Sequence, residues 1–453
     1  MKKLLVLFLL LCAASRTLNA QTVGEFQEIS GAVRERVSVG KINQSIVVAV
    51  IDEKGTHFVA YGKTAETSDA KDSDENTVFE IGSITKVFTG TLLAIAVRRG
   101  EVHLTDPISK YLPKTVKTPV RNGKEITLLD LVTQSSALPG LPTNFAPKNA
   151  GNPYADYSVA QIYDFLSGYQ LTRDIGARYE YSNFGMGLLG HILSLRAGTS
   201  YEQLVRSRIL KPLKMNDTTI TLSPRLKSRM AQGFDQNGDA VSGWDIPTLA
   251  GAGALRSTAK DMAKFIAANL DLQKSGLENA FAEAHKQRRD AGGRMKIGLA
   301  WHILPNPAGD VVWHNGGTGG FRSFAGFDEK RKKGIVVLTN TAESVDDIGF
   351  HWLDARIPLQ KIKPLVAVGE KILDEYVGTY QFAPTVFFTV TRSGDRLFAQ
   401  LSGQSRLRIY ALAENEFYYR AVNARITFNK GEDGKIESLT LHQNGEQTAR
   451  KIK

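Results

Sequence analysis

The feature that most constrains the fold of this chain is a polar pair at the start of a long apolar segment. Ser83 and Lys86 follow Gly82, and a mostly apolar run then extends over residues 87–97. This order predicts a turn that leads into a helix buried around most of its circumference, with Ser83 at the N-terminus and Lys86 one turn later on the same face. A buried lysine is costly without partners, so we expect polar groups from elsewhere in the chain to meet it.

Ser83 is a candidate nucleophile for acyl transfer. A helix N-terminus offers free N–H groups and a positive dipole, which favour a developing anion, and an amine one turn from the hydroxyl can handle its proton. The spacing alone is weak evidence, because Ser-x-x-Lys also occurs at Ser38, Ser68 and Ser257. The context of Ser257 predicts a helix cap, and Ser68 lies in a polar loop. Further support must come from other segments.

The first twenty residues have the pattern of a secretory signal peptide. Basic residues precede an apolar run over residues 4–11, small residues follow, and Ala20 is the predicted cleavage point. The run is too short to span a membrane, and no later stretch is long enough. We therefore expect a secreted or periplasmic protein without a transmembrane segment. Cys12 suggests lipid anchoring as an alternative, which the bulky Leu11 before it makes less favourable.

The composition excludes several classes of function. The only cysteine, Cys12, leaves with the predicted signal, so the mature chain has no disulfide, thiolate metal site or cysteine nucleophile. None of the eight histidines falls in a His-Glu-x-x-His arrangement, and we expect no metal and no cofactor. Cleavage lowers the formal charge from +11 to +8, and the basic residues are spread thinly. The densest basic run, 330–333, has no interleaved aromatic residues, so we expect no nucleic-acid partner.

The order of predicted elements indicates an α+β domain. An amphipathic helix within residues 21–45 and strands at 45–51 and 56–61 open the chain, helices fill the middle, and strands return at 311–314 and 334–338. We therefore expect one antiparallel sheet built from both ends of the domain and covered by helices.

The pattern changes after about residue 360. From residue 376 onward apolar and polar residues alternate between hairpin-type turns, which predicts a small all-β domain. The predicted divisions are a signal peptide over 1–20, the α+β domain over 21–360, and a β-barrel-like domain over 361–453.

Tyr181 and Asn183 form the second segment with candidate chemistry. A tyrosine can act as a general base if a nearby cation lowers its pKa, and Lys86 would be that cation. Asn183 offers both a donor and an acceptor, so it can orient the lysine and hold a substrate amide. The alternative is a buried aromatic side chain followed by a helix cap.

The third segment is rich in glycine and runs from His314 to Gly320. Its glycines allow a substrate to lie close against a strand edge. The N–H of Gly317 is a candidate second oxyanion donor, opposite the N–H of Ser83. The alternative is a flexible hairpin without a catalytic role.

The three segments in this order resemble the penicillin-recognising serine hydrolases. The likeness is greatest to the class C β-lactamases and to their D-alanyl-D-alanine carboxypeptidase, D-aminopeptidase and esterase relatives, and it covers roughly residues 25–355. It implies an α/β (α+β) serine β-lactamase-like fold, with an antiparallel sheet flanked by helices. The β domain that follows is similar to the small domain often appended to such hydrolases.

The resemblance also implies a role for each matched residue. Ser83 is the nucleophile, and Lys86 and Tyr181 handle its proton and protonate the leaving group. Asn183 positions the lysine and the substrate, while the strand beginning at His314 lines the acyl site. The implied substrate-binding and oxyanion residues are Asn183, His314, Asn315, Gly316 and Gly317.

One departure from the family pattern bears on the substrate. Class C β-lactamases carry Lys-Thr-Gly where this chain has His314-Asn315-Gly316. A lysine attracts a substrate carboxylate, whereas a histidine titrates near pH 6.5 and is mostly neutral above it. The difference disfavours strong β-lactamase activity and favours an esterase or a peptidase. Arg322 is a candidate for the missing positive charge.

We therefore expect a serine hydrolase that forms an acyl-enzyme on Ser83. Its substrate would be a small molecule or a peptidoglycan-derived compound: a β-lactam, a D-amino-acid peptide or a short-chain ester. The alternative is a penicillin-binding or other ligand-binding protein with the same fold and no turnover. A Ser-His-Asp hydrolase is disfavoured because Gly-x-Ser-x-Gly does not occur.

Overall fold

The computed structural model of the protein describes residues 24–453. The predicted signal peptide and its cleavage point at Ala20 lie outside the described residues. The chain divides into two compact units. Unit 1 comprises residues 24–33, 43–233 and 240–360, and unit 2 comprises 34–42, 234–239 and 361–453. Unit 2 therefore takes in two short segments that the predicted boundary at residue 360 assigned to the α+β domain.

Fourteen strands precede residue 340 in the described chain. In chain order they are Ser45–Asp52 (β1), Gly55–Gly62 (β2), Val78–Glu80 (β3), Val120–Arg121 (β4), Lys124–Glu125 (β5), Gly233–Phe234 (β6), Ala240–Val241 (β7), Arg256–Thr258 (β8), Arg289–Asp290 (β9), Lys296–Ile297 (β10), His302–Leu304 (β11), Val311–Gly317 (β12), Arg322–Asp328 (β13) and Lys333–Thr339 (β14).

The α-helices before residue 360 mostly lie between β2 and β9. They are 24–34 (α1), Thr85–Arg98 (α2), Leu128–Val132 (α3), Val159–Gly168 (α4), Asn183–Ala197 (α5), Tyr201–Val205 (α6), Lys211–Leu213 (α7), Pro224–Lys227 (α8), Ala250–Gly253 (α9), Ala259–Asn269 (α10), Glu278–His285 (α11) and Asp346–Leu353 (α12). Two π-helical turns, Glu35–Val39 and Arg206–Leu210, and two 3₁₀ turns, Gly82–Ile84 and Ile108–Lys110, complete the helical elements.

The centre of unit 1 is an eight-stranded antiparallel sheet with the order β2-β1-β14-β13-β12-β11-β10-β9. The first and last strands of the unit pair with each other next to the edge strand β2, and Val48 of β1 lies opposite Val337 of β14. Both strands are rich in β-branched residues and are buried on both faces, which suits the pleated surface of a covered sheet. The predicted antiparallel sheet built from both ends of the domain is confirmed.

Helices cover both faces of this sheet. On one face, Ile266 of α10 lies so close to Gly334 of β14 that a Cβ at the glycine would be 2.4 Å from it. On the other face, Phe324 of β13 packs edge-on against Phe350 of α12, with ring centroids 5.0 Å apart. Neighbouring residues of a strand point to opposite faces, so the strands pack against helices on both sides of the sheet.

Helix α2 is the buried helix that the apolar run predicts. Its residues from Thr85 to Ala96 are buried, and Phe88 stacks on Phe265 of α10 with the ring centroids 4.1 Å apart. The 3₁₀ turn Gly82–Ile84 leads directly into it. Ser83 therefore stands at the entrance of a helix that the packing around it holds in place.

A buried ion pair holds the chain just before this turn. Glu80 and Arg256 lie opposite each other where β3 pairs with β8, and Nη2 of Arg256 is 3.3 Å from Oε1 of Glu80. Arg256 also donates to the carbonyl oxygens of Ile220 and Trp244 at 2.7 and 2.8 Å. Burial raises the pKa of Glu80, and Arg256 opposes that shift.

Unit 2 is built around a closed eight-stranded β-barrel. One helix, Glu370–Tyr376 (α13), precedes the strands. These are Gly378–Ala383 (β15), Val386–Ser393 (β16), Arg396–Leu401 (β17), Leu407–Ala411 (β18), Glu416–Tyr419 (β19), Arg425–Lys430 (β20), Ile436–His442 (β21) and Glu446–Lys451 (β22). Phe428 lies in the barrel core, where it stacks on Tyr376 with ring centroids 4.2 Å apart. The predicted C-terminal all-β domain is confirmed.

Across residues 24–453, no helix has the length and apolar character needed to cross a membrane.

Candidate active site

Ser83 and Lys86 meet at the start of α2, as their spacing predicts. Nζ of Lys86 lies 2.9 Å from Oγ of Ser83. It also donates to Oδ1 of Asn183 at 2.7 Å and to the carbonyl oxygen of Ala252 at 2.6 Å. Lys86 is fully buried, and burial lowers its pKa well below the ordinary value.

These contacts suit a neutral amine that accepts a proton. The oxygens of Asn183 and Ala252 are carbonyl oxygens, which can only accept hydrogen bonds. A neutral Lys86 therefore uses its two N–H groups on them and directs its lone pair at the hydroxyl of Ser83. In that state the amine can act as the general base that activates a serine.

Tyr181 lies beside this pair. Its ring centroid is 4.7 Å from Nζ of Lys86, and its hydroxyl hydrogen-bonds with Ser83. Burial raises the pKa of Tyr181, and the hydrogen bond with Ser83 only opposes this shift. The hypothesis that Lys86 lowers the pKa of Tyr181 is therefore wrong in direction, because the loss of solvent outweighs other effects. A phenol that stays protonated is suited to donate a proton rather than to accept one.

Asn183 begins α5 and faces Lys86. The side chain of Ser182 caps the helix by accepting a hydrogen bond from the N–H of Gly185, so the predicted cap is present beside the polar site. Nδ2 of Asn183 donates to the hydroxyl of Tyr154 at 3.4 Å. This contact keeps the amide turned with its oxygen toward Lys86.

Two glycines let β12 approach the turn that carries Ser83. Gly82 has a φ of +48°, and a Cβ on it would lie 2.7 Å from the backbone nitrogen of Gly317. A Cβ on Gly316 would lie 2.1 Å from the carbonyl oxygen of Ile81. Only glycine fits such contacts. The backbone N–H of Ser83 lies in the first helical turn, where N–H groups have no acceptor within the helix, so it and the N–H of Gly317 are candidates for one oxyanion hole.

Strand alternation separates the residues of the third segment. His314 and Gly316 are buried on the face of β12 toward the turn. Asn315 points to the opposite face, where its Nδ2 donates to Oδ2 of Asp346 in α12 at 2.7 Å. The prediction that Asn315 contributes to substrate binding is therefore wrong for its side chain, because successive strand residues face opposite sides. Asn315 instead fastens β12 to the covering helix.

His314 belongs to a buried row of uncharged rings. Its ring centroid lies 4.9 Å from that of His302 and 6.3 Å from that of Tyr181, and Nε2 of His302 is 2.9 Å from the hydroxyl of Tyr179. Burial lowers the pKa of His314 well below its ordinary value, with smaller contributions from His302 and Lys86. Burial thus places the pKa of His314 below the expected value near 6.5, which favours an uncharged wall of rings beside Tyr181.

Arg322 places a positive charge at the end of β12. Its Nη1 donates to the carbonyl oxygens of Thr318 and Phe321, both at 2.8 Å. The same atom lies 3.0 Å from the position of a Cβ on Gly317. Burial lowers the pKa of Arg322. Arg322, the candidate for the positive charge that His314 does not supply, thus lies opposite Gly317 and not opposite His314.

Four residues of the site were not found from the sequence. Ala252 contributes only its backbone oxygen, which leaves no side-chain signal. Tyr154, which contacts Asn183, follows a loop rich in Pro, Gly and Asn, and that loop was its only signal. Tyr179 and His302 carry no motif that separates them from structural residues. No group of three or more His, Cys, Asp or Glu side chains within residues 24–453 could hold a metal ion.

Comparison with known families identifies the first unit. The profile of the Beta-lactamase family matches residues 21–356. The chain belongs to the Beta-lactamase family. As a member of this family it is a serine hydrolase, as the three segments predict. The profile of a domain of unknown function, DUF3471, matches residues 363–452.

Individual relatives agree with this family assignment. A Beta-lactamase of Escherichia coli (strain K12) is 29% identical over 367 residues, which cover 73% of this chain and 93% of the relative. The D-alanyl-D-alanine-carboxypeptidase/endopeptidase AmpH of the same organism is 30% identical over 362 residues, covering 75% and 92%. The solved structure of a Beta-Lactamase/D-Alanine Carboxypeptidase from Pseudomonas syringae aligns with a TM-score of 0.65 at 22% identity, covering 74% and 100%. The predicted serine β-lactamase-like fold is confirmed.

Replacing Gly82 tests the close approach of β12. Gly82→Ala is expected to lower kcat/KM for a short-chain ester by about tenfold or more, because a Cβ at this position displaces Gly317 from the turn. Gly100→Ala is the matched control, since Gly100 also has a positive φ, +68°, but nothing lies within 4 Å of its Cβ position. The control should lose about 1 kcal/mol of stability and keep its activity. Equal activity in both variants would contradict the argument.

The buried His302 predicts a pH dependence of stability. Burial lowers its pKa from 6.5 to about 4, so between these values the unfolded chain binds more protons than the folded one. Stability should therefore fall as the pH falls through this window, by about 3 kcal/mol at pH 4 for this group. Urea denaturation at pH 7 and pH 4 measures the loss.

His302→Gln should make the urea midpoint less dependent on pH. His103→Gln, in an exposed position, is the control and should behave as the unmodified protein does. If His302→Gln retains the full acid dependence, His302 is not the group responsible.

Proposed function

We propose that this hydrolase works through an acyl-enzyme on Ser83. The observation that carries the proposal is the environment of Lys86, whose amine is buried and contacts Ser83, Asn183 and the carbonyl oxygen of Ala252. Two of these partners are fixed acceptors and the third is the hydroxyl to be activated. Burial lowers the pKa of Lys86, and an amine whose two N–H groups meet the fixed acceptors can present its lone pair to the hydroxyl of Ser83.

The first chemical step is proton removal and attack. Lys86 takes the proton of Ser83 while Oγ forms a bond to the substrate carbonyl carbon. The carbonyl oxygen becomes an anion, which the N–H groups of Ser83 and Gly317 stabilise. Collapse of this intermediate breaks the bond to the leaving nitrogen or oxygen. Tyr181 donates the proton that the leaving group needs and regains one from Lys86.

The second half of the reaction releases the acyl group. A water molecule attacks the ester on Ser83, the same groups accept and return its proton, and the carboxylic acid leaves. If this step is slow, the protein instead remains acylated and behaves as a penicillin-binding protein. Such a protein without turnover is the second candidate function, because every contact described for Lys86 serves acylation and none selects a deacylating water.

The uncharged His314 and His302 rings beside Tyr181, the neutral wall of the site, favour some substrate classes over others. Relatives of the chain carry the names Beta-lactamase and D-alanyl-D-alanine-carboxypeptidase/endopeptidase, which suggests β-lactams and D-amino-acid peptides, including those of peptidoglycan. His314 has its pKa lowered by burial and offers no charge for a substrate carboxylate. We therefore infer that uncharged esters and peptides react better than carboxylate-bearing β-lactams, with Arg322 as the group that a carboxylate would have to reach.

Ser83→Ala is expected to abolish hydrolysis of a short-chain ester and of a penicillin. Ser68→Ala is the matched control, since Ser68 also belongs to a Ser-x-x-Lys sequence but is exposed in a loop. Intact-mass spectrometry over time, after mixing with a penicillin, should show an adduct in the control and none in Ser83→Ala. Substantial hydrolysis by Ser83→Ala would rule out the mechanism.

The time course of the adduct separates the two candidate functions. A transient adduct with accumulating product means turnover of the β-lactam. A lasting adduct means acylation without release. Ester hydrolysis without any adduct favours the esterase or peptidase that the neutral wall predicts.

We further propose that the protein is exported and cleaved after Ala20, giving a secreted or periplasmic enzyme. The lysines and apolar run of residues 1–11 support this. The mature protein, recovered from the periplasm or medium, should have an intact mass that begins at Gln21. A mass that includes Cys12 with a lipid would favour the anchored alternative.

A further inference from the structure

Unit 2 contains a cavity of about 390 Å³ that the proposed hydrolysis does not use. Its volume lies in the range of small-molecule sites. Most of its lining is apolar, and Arg408 and Lys41 are its basic residues. Two of the lining side chains, Val39 and Val366, are large, apolar and exposed at 44% and 46%. The cavity thus combines an uncovered apolar wall with positive charge.

Arg408 stands in a cluster of guanidinium groups. Measured from the position of a Cβ on Gly238, Nη1 of Arg408 is 3.0 Å away and Nη1 of Arg396 is 3.6 Å away. The guanidinium carbons of Arg408 and Arg420 lie 4.7 and 3.5 Å from the ring centroid of Tyr410. Arg408 therefore has two like charges for neighbours, Arg396 near Gly238 and Arg420 at Tyr410, and Tyr410 also lines the cavity.

Arg396 and Arg420 have hydrogen-bond acceptors for their guanidinium groups, whereas Arg408 has fewer. Nη1 of Arg396 donates to the carbonyl oxygen of Gly238 at 2.7 Å, and Arg420 donates to the backbone carbonyl oxygens of Gly40 and Lys41. The buried Nε of Arg408, in contrast, has no hydrogen-bond partner within residues 24–453. A buried donor without an acceptor costs free energy, and more so for a charged group.

The electrostatic balance around Arg408 also favours an added anion. Burial lowers the pKa of Arg408, and Arg396 and Arg420 lower it further, while Tyr410 and Asp395 oppose the shift. Asp395 lines the same cavity, and Oδ1 of Asp239 lies 3.4 Å from Nη1 of Arg396, so these two acids offset part of the charge. The guanidinium nonetheless stays protonated, since its ordinary pKa is above 12. An anion beside it would supply acceptors and relieve the repulsion between like charges.

We propose that this cavity binds a small amphiphilic anion, with a carboxylate or phosphate head at Arg408 and a short apolar tail against Val39 and Val366. The head accepts charge-assisted hydrogen bonds from the guanidinium. The tail removes the two exposed valines from water. A carboxylate and a phosphate share this chemistry, and they come from different sources: an acyl acid in one case, a lipid-type phosphate in the other.

Isothermal titration calorimetry on the full chain tests the proposal with three probes. These are octanoate, octyl phosphate and uncharged octyl glucoside, which share the same tail. At least one of the two anions should bind saturably, and octyl glucoside should not. Tighter binding of octanoate assigns a carboxylate ligand, and tighter binding of octyl phosphate assigns a phosphate ligand.

Two variants connect the binding to this cavity. Arg408→Gln should weaken anion binding by about tenfold or more, because a charge-assisted hydrogen bond is lost. Arg425→Gln is the control, since Arg425 is exposed on β20 and pairs with Glu416 at 3.0 Å, away from the cavity lining. It should leave the affinity unchanged.

A second variant guards against misfolding of Arg408→Gln. Ala367 lines the cavity and is exposed, so Ala367→Phe should fill the space without disturbing the barrel core, and thermal unfolding checks this. Anion binding should be lost. The proposal is overturned if neither anion binds, if octyl glucoside binds equally well, or if Ala367→Phe or folded Arg408→Gln binds as tightly as the unmodified protein.

Discussion

The burial of one amine is the constraint on which the rest of unit 1 depends. Lys86 has no access to solvent, and its three oxygen partners come from the turn before α2, from the start of α5 and from α9. Without these partners a buried amine would be strongly destabilising. With solvent beside it, the amine would keep its ordinary pKa and stay protonated at neutral pH. The packing of three helical segments therefore sets both the stability of this region and the basicity of the candidate base.

The second constraint is the contact between backbone segments at Gly82 and Gly316. Here the chain brings a strand and a helix entrance together with no side chain between them. Strand alternation then divides β12 into two functions, because His314 and Gly316 face the turn while Asn315 holds Asp346 of the covering helix. One face of β12 thus shapes the site, and its other face is held by α12. A shift of α12 would therefore move the site.

Short-range sequence patterns were enough to predict part of the site. The spacing of Ser83 and Lys86 depends only on helix geometry, and the β-branched runs at both ends of the domain identify strands by composition. The rest depends on packing that the sequence does not encode locally. The carbonyl oxygen of Ala252 carries no side-chain signal, the direction of the Tyr181 pKa shift depends on how completely the ring is buried, and the facing of Asn315 depends on the register of β12. The segments 34–42 and 234–239 belong to unit 2 although they lie far from it in sequence.

The pairing of the first and last strands of unit 1 with each other has a kinetic consequence. Ser45, which begins β1, bonds through its N–H to Asn340, 295 residues away. Loop closure over such a distance is slow compared with local helix formation. During synthesis, β1 emerges early and has no neighbour on one side until β14 has been made. Until that moment β1 can pair only with β2, so the eight-stranded sheet of unit 1 is completed only near the end of that unit's synthesis.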